Sequence, residues 1–212
     1  MQTEIHGTIT RYALSCLLGE DDLRAVIRGN LAQDRLAGLI GHPEYHCDDS
    51  RFAETEAYIG EQNALCARLL GPDGDRERAM HALGRALHAR QDFYAHSNYV
   101  PLWVAEHGGL GRCAPADIAP CTDWTSMAQL RSGDSSLAAH LLYAIPGLGS
   151  WLLRRRIFAH THAAMHLDGP ERGPMFAYAV SAATKHTRLE LERLATECRE
   201  AGLPVAWEEP GV

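Results

Sequence analysis

The sequence predicts an all-α fold, a single-domain bundle of about six or seven helices spanning residues 1–212. Apolar residues recur at helical spacing in several segments, and no segment shows the alternation of apolar and polar residues typical of half-buried strands. Clusters of Gly and Pro separate these segments. A chain of 212 residues that is 46% hydrophobic is long enough for one substantial core.

The apolar faces, caps and breakers predict the helices in order. The first covers residues 8–18 and follows His6, and the second begins at Asp21 and Asp22 and runs to about residue 31. Residues 38–49 are predicted as a loop. The later helices are predicted from residue 50 or 51 to the turn at 71–74, from near Asp75 through 80–100, and over 175–201.

Two further segments interrupt this pattern. Residues 106–136 form an irregular loop of a length that is typical of functional lids. Residues 137–153 are the most apolar stretch, but His140 and the break at 145–149, Ile-Pro-Gly-Leu-Gly, make it too short and interrupted to span a bilayer. We interpret this stretch as a buried helix and turn. The alternative is a patch that faces lipid or a partner, including a second copy of the chain.

A polar stripe organises the central helix. His88, Asp92 and His96 recur every four residues, and each such step turns about 40° past a full circle and rises about 6 Å. His81, seven residues before His88, falls within about 20° of the same line. Arg85 and Arg90 flank the stripe and are predicted on the solvent face. Because buried imidazoles and a carboxylate need partners, the stripe predicts a metal ion.

Charge and composition limit the partners, the cellular compartment and the cysteine sites that the sequence predicts. The net charge is −7 with neutral histidines, and the basic residues are scattered apart from the run at 154–156, so no duplex nucleic-acid partner is expected. The first residues show no basic region followed by an apolar run, which favours the cytoplasm. The six cysteines include no Cys-x-x-Cys pair. Twelve histidines are the unusual feature.

The candidate metal ligands are histidines and carboxylates spread along the chain, without thiolates: His6, Asp34, His46, His88, Asp92, His96, His162, His166, Asp168 and His186, the last with Glu190 four residues on. Zinc readily takes such nitrogen and oxygen ligands. No Glu-x-x-His motif is present, which argues against a di-iron bundle. The absence of a Gly-x-Ser-x-Gly motif argues against a serine nucleophile.

Residues 83–100, LGRALHARQDFYAHSNYV, resemble the signature of the zinc-dependent phospholipase C and single-strand nuclease superfamily, especially its Het-C-like branch. Shorter segments are similar to its other motifs, in the same order: HGTITRYAL at 6–14, NLAQD at 30–34, HCDD at 46–49, and the segment from Thr161 to Asp168. The resemblance implies an all-α fold with a zinc cluster of roughly two or three ions at the bottom of a cleft. It also implies hydrolysis of a phosphoester.

The matching positions imply roles for individual residues. The first metal would be bound by Asp34, His46, His88 and Asp92. The second would be bound by His96 and His162, with His166, Asp168 or the His186 and Glu190 pair as its last ligand. The third would be bound by His6 together with Asp92. Asp34 or Asp92 would orient a metal-activated water that attacks phosphorus, which makes both candidate catalytic residues. The substrate would be a small-molecule or lipid phosphoester.

Two alternatives remain open from the sequence. One is a metalloenzyme of the same fold that catalyses another biosynthetic reaction, with iron in place of zinc. The other is a Het-C-like interaction protein without catalytic activity, in which the metal is structural.

Overall fold

The computed structural model describes residues 1–39, 41–124, 126–134, 165–205 and 207. The predicted all-α bundle is confirmed, and no β-strand occurs within these residues. The α-helices, numbered along the described residues, are α1 Thr3–Leu14, α2 Glu20–Leu31, α3 Leu36–Leu39, α4 Phe52–Leu69, α5 Arg76–His96, α6 Tyr99–Glu106 and α7 Met175–Glu200. Three short 3₁₀ helices, Pro43–Tyr45, Pro115–Asp117 and Pro170–Arg172, lie in the connections.

Helix α5 is the centre of the bundle, with α2, α4 and α7 packed around it. From Ala82 to His96 every residue except Arg85 is buried. The helix begins at Asp75, whose carboxylate accepts a hydrogen bond from the Arg78 amide at 3.0 Å and so caps one of the free N–H groups. A helix surrounded in this way buries polar residues along with apolar ones, and these polar residues need partners inside the protein.

Two predicted helix boundaries are wrong. The predicted helix over 80–100 ends at His96, because Ser97 is extended and pairs with Ser132 while Gly133 donates to the His96 carbonyl at 3.0 Å. The first helix begins at Thr3 rather than at residue 8, since nothing in the preceding residues breaks it. His6 therefore lies within α1 and faces the interior, instead of preceding the helix.

Helices α2 and α5 cross at two glycines. A Cβ on Gly84 would lie 2.0 Å from the Val26 carbonyl oxygen, and one on Gly29 would lie 2.1 Å from the His81 carbonyl oxygen. Only glycine permits backbones to approach this closely. The crossing brings the end of α2, with Asn30 and the Asp34 that follows it, against the polar stripe of α5.

A buried ion network joins α4, α5 and α7. The guanidinium of Arg90 donates to Glu190 on α7 at 3.0 Å and to Glu56 on α4 at 2.8 Å, and lies 4.6 Å from the ring centre of Trp124. Arg90 is only 3% exposed, so its predicted place on the solvent face is wrong. Single-helix periodicity could not show that α4, α7 and the segment around Trp124 cover this face.

No helix in the described part of the chain is long and apolar enough to cross a membrane. The apolar stretch at 137–153 lies outside the described residues.

Substitution of Gly84 by alanine is expected to destabilise the protein by about 1–3 kcal/mol, because the added methyl group forces α2 and α5 apart. Gly60, within α4, is the matched control, since a Cβ there would meet nothing within 4 Å. Gly60→Ala is expected to stabilise by up to about 1 kcal/mol through helix propensity. Urea unfolding measures both free energies, and equal values for the two variants would contradict the close crossing.

Substitution of Arg90 by methionine is expected to cost about 3–5 kcal/mol, because it leaves the Glu190 carboxylate buried without its cation. Arg193→Met is the control. Arg193 also contacts Glu56 but its side chain is 52% exposed, and loss of an exposed pair is expected to cost at most about 1 kcal/mol. Thermal and urea unfolding of both variants test the difference, and a small effect of Arg90→Met would contradict a buried network.

Candidate metal centre

Four histidines converge on the carboxylate of Asp92, which is 1% exposed. Its Oδ2 lies 3.0 Å from His46 Nδ1 and 3.0 Å from His88 Nε2. Its Oδ1 lies 3.1 Å from His6 Nε2 and 3.6 Å from His96 Nε2. We call these five residues the Asp92 cluster. The structure therefore brings together His6, His46, His88, Asp92 and His96, as the sequence predicts.

Three parts of the chain supply the cluster. His88, Asp92 and His96 lie on one face of α5, and His6 reaches them from α1. His46 follows the 3₁₀ helix Pro43–Tyr45. The residues after His46 are unusual, because Cys47, Asp49 and Ser50 have φ angles of 55°, 57° and 54°. Non-glycine residues rarely adopt this left-handed conformation, and several together indicate a loop held in place by its surroundings.

Each histidine is oriented by a hydrogen bond from its outer nitrogen. The partners are the Gln91 side-chain oxygen for His6 at 2.7 Å, the Gly38 carbonyl for His46 at 3.3 Å, the Asn30 side-chain oxygen for His88 at 3.2 Å, and the His46 carbonyl for His96 at 2.8 Å. A carbonyl oxygen only accepts, so the outer nitrogen of each ring carries the proton. In a neutral ring the inner nitrogen is then an acceptor that faces Asp92.

The inner atoms of the cluster are therefore acceptors that face one another. His46 Nδ1 and His88 Nε2 lie 3.1 Å apart, and both lie 3.0 Å from the same carboxylate oxygen. His6 Nε2 is buried without a hydrogen-bond partner among the described residues, and so is Asp34 Oδ2. Buried acceptors without donors are costly unless a cation lies between them.

The buried charges of the cluster shift the pKa values of its members. Burial alone would raise the pKa of Asp92, but His96, the Met1 amino group, His88 and His6 hold it well below its usual range. Burial lowers the pKa of His88 well below its usual value, and His6 and His46 lower it further. Burial also lowers the pKa of His96, but the charges of Asp92 and Asp48 outweigh burial and raise it to about 9. When no metal is bound, the Met1 amino group and a proton on His96 therefore both offset the charge of Asp92.

Two overlapping sets of donors have the spacing of metal ligands. One is His46, His88 and Asp92, and the other is His6, Asp34 and His88; within each set the ligand atoms lie within 4.8 Å of one another. Imidazole nitrogens and carboxylate oxygens are the ligands that zinc takes, and outer hydrogen bonds to carbonyl oxygens typically orient metal-binding histidines. The residues present therefore fit a divalent metal. The buried thiol of Cys47 has a raised pKa and contributes no thiolate.

A second group of side chains borders the cluster. The Met1 amino nitrogen lies 2.5 Å from Asp92 Oδ1, 2.9 Å from Asp168 Oδ1 and 2.9 Å from His96 Nε2. Burial lowers the pKa of this amino group, but the two carboxylates raise it to about 10. Asp168 also lies 3.1 Å from His96 and 2.5 Å from His166. The predicted residues His166 and Asp168 thus lie at the edge of the cluster next to His96.

Not every predicted ligand reaches the cluster in this structure. His186 Nδ1 is hydrogen-bonded to the Tyr94 hydroxyl at 2.5 Å, on the other side of α5, and Glu190 pairs with Arg90. His162 lies outside the described residues. Residue spacing could not reveal the roles of the Met1 amino group and Gln91. Gln91 is buried in mid-helix and is bonded to His6, Asn30, Thr10 and Thr187.

Comparison with known proteins gives a different relationship from the one expected. A family model described as the VWA7 N-terminal domain matches residues 11–114. The human von Willebrand factor A domain-containing protein 7 is 41% identical over 83 residues, which is 38% of this chain and 9% of the human protein. The mouse protein of the same name is 40% identical over 83 residues, with the same coverage. The chain thus matches 9% of the length of these curated relatives. No solved structure matches it.

These matches correct the expected family and activity. The resemblance to the zinc-dependent phospholipase C and nuclease superfamily is wrong, and so is the prediction of a phosphoester hydrolase, because the matched family and relatives are of the VWA7 kind. The resemblance was misleading because histidine and aspartate at spacings of four recur wherever a helix presents one polar face. What the comparisons show is that residues 11–114 are similar to the VWA7 N-terminal domain.

Proposed function

We propose that this chain is a metal-binding helical domain in which Asp92 bridges divalent metal ions held by the surrounding histidines. The observation that carries the proposal is the orientation of His6, His46, His88 and His96. Each has its outer nitrogen bonded to a carbonyl oxygen, so that its inner nitrogen faces the same buried carboxylate. Five of the proposed ligands, Asp34, His46, His88, Asp92 and His96, also lie within the residues that match the family model.

Zinc is the metal that the donor chemistry favours. The set of His46, His88 and Asp92 supplies two nitrogens and one oxygen, and Asp34 Oδ1 lies 3.6 Å from His88 Nε2. A further ion on the Oδ1 side of Asp92, between His6 and His96, would displace the Met1 amino group from that position. His166 and Asp168 lie beside it. Iron also accepts imidazole and carboxylate ligands and is the alternative metal. Metal analysis would distinguish it from zinc.

The metal would act by fixing the bundle. Its ligands come from α1, the residues that follow α2, the loop at His46 and the central helix α5. Ions held between these elements would replace the repulsion among buried acceptors with bonds that cross the domain. The proposed role is therefore a metal-stabilised N-terminal module of a VWA7-like protein.

Protein purified without chelator is expected to contain about two equivalents of zinc by mass spectrometry. Asp92→Asn is expected to lose the metal, because the neutral amide cannot bridge two cations. Asn30→Ala leaves all ligands in place but removes the acceptor that orients His88, so zinc affinity is expected to fall about 10–100-fold. The control is His107→Ala, since His107 is exposed and contacts Trp103 at the end of α6.

A metal content below one equivalent in the wild-type protein would contradict this proposal. So would equal metal content in the Asp92→Asn and wild-type proteins, provided that circular dichroism shows both to be folded. Iron in place of zinc would keep the site and change the assigned metal.

Removal of the metal by a chelator is expected to lower the melting temperature. At a free-metal concentration about 100 times Kd, binding stabilises the folded state by about 2.7 kcal/mol, which corresponds to about 5–10 °C for a chain of this size. Differential scanning calorimetry with and without dipicolinate measures the shift, and added zinc is expected to restore it. A melting temperature that does not change on chelation would count against a stabilising metal.

A further inference from the structure

We propose that a pocket between α4 and α5, lined by Gln62, Arg78, His81 and Arg85, binds a phosphate group. The inference does not depend on bound metal. It concerns His81, which continues the polar stripe of α5 but lies seven residues, or about 10 Å along the helix axis, before His88 and outside the Asp92 cluster.

The size of the pocket limits what it can hold. Its volume is about 150 Å³, and Leu65 and Leu69 form its apolar wall. Pockets for drug-sized ligands span about 300–1,000 Å³, so this one suits a single small group. One tetrahedral oxyanion with a few waters matches the space.

The pocket contains cations that the chain leaves without anions. Neighbouring arginines are neutralised, since Arg28 pairs with Glu77 at 2.6 Å and Arg76 pairs with Asp22 at 2.6 Å. Among the described residues, neither Arg78 nor Arg85 has a carboxylate partner. In a protein with a net charge of −7, two unpaired arginines in one pocket form a local site for a negative ligand.

Arg85 is held in a fixed orientation. Its Nε donates to the Gln33 side-chain oxygen at 3.2 Å and to the Tyr58 hydroxyl at 3.1 Å, and its guanidinium carbon lies 5.8 Å from the Tyr58 ring centre. These contacts use one N–H group and leave the two terminal nitrogens available. A guanidinium fixed in this way is suited to donate two parallel hydrogen bonds to a phosphate.

Gln62 gives an independent indication of a ligand. Its side chain is 8% exposed, and its carbonyl oxygen is buried without a hydrogen-bond partner in the described part of the chain. The two ends of a glutamine amide are assigned from their partners. As the amide stands, its nitrogen is not buried in this way, so the NH₂ group is the accessible end and can donate to a phosphate oxygen in the pocket.

His81 reports on the charge in the pocket. Partial burial lowers its pKa, and Arg85, Arg28 and Arg35 lower it further, against the opposing charge of Glu77. The facing groups are Glu77, Arg78 and Arg85 on α5, Arg28 on α2 and Arg35 after it, whereas α4 contributes only the uncharged residues Gln62, Leu65 and Leu69. A bound phosphate would add negative charge and raise the pKa of His81.

Nuclear magnetic resonance of the imidazole groups tests the proposal on the full chain. Inorganic phosphate, added at constant ionic strength against chloride, is expected to shift the His81 resonances along a saturating curve and to raise the measured pKa of His81. Sulfate is the second probe. Weaker saturation by sulfate would indicate a preference for phosphate, whereas equal shifts with phosphate and chloride would overturn the proposal.

Two variants test the assigned residues. Arg78→Gln removes an exposed cation whose side chain has no hydrogen bond or ion pair with the residues that the structure describes. It is expected to weaken phosphate binding about tenfold or more, which is the loss of one charge-assisted hydrogen bond. Arg85→Gln is expected to weaken it further, with circular dichroism as a check on folding. Arg112→Gln, in the loop after α6, is the control. Equal binding by Arg78→Gln and wild type, or an equal loss in Arg112→Gln, would overturn the assignment.

Discussion

The structure depends on one buried carboxylate. Asp92 is buried on the central helix α5, four residues before its end at His96, and an isolated ionised group there would be too costly to retain. The chain surrounds it with four imidazoles and the Met1 amino group, and the pKa of one imidazole, His96, is raised to about 9. Helix α1 and the loop at His46 each supply one of these imidazoles, and the end of α2 contacts His88.

The close crossing of α2 and α5 makes this arrangement possible. Gly29 and Gly84 let the two backbones meet, and the next residue on α2, Asn30, then reaches the outer nitrogen of His88. The side-chain oxygen of Gln91 likewise accepts a hydrogen bond from the outer nitrogen of His6, and the Gln91 amide nitrogen donates to Thr10 and Thr187. Uncharged side chains therefore orient His6 and His88, and backbone carbonyls orient His46 and His96. In each case the inner nitrogen faces Asp92.

The part of the site that lies on one helix could be predicted from the sequence, because a step of four residues fixes which side chains share a face. His6 and His46 come from other elements, and only their place in a resemblance suggested them. The burial of Arg90, the contact of His186 with Tyr94 and the role of Gln91 depend on neighbouring helices, which periodicity within one helix does not show. The same limit explains the wrong family: a polar face of histidines indicates metal chemistry but does not distinguish between families that use it.

Anomalous X-ray scattering from crystals grown with zinc tests the central claim most directly, because it locates the metal as well as detecting it. Data on either side of the zinc absorption edge are expected to show a peak about 2.0–2.2 Å from Asp92 Oδ2, His46 Nδ1 and His88 Nε2, with a second peak on the Oδ1 side of Asp92. A crystal whose only zinc peaks lie at surface histidines, with Asp92 still contacted by the unliganded rings, would contradict the account.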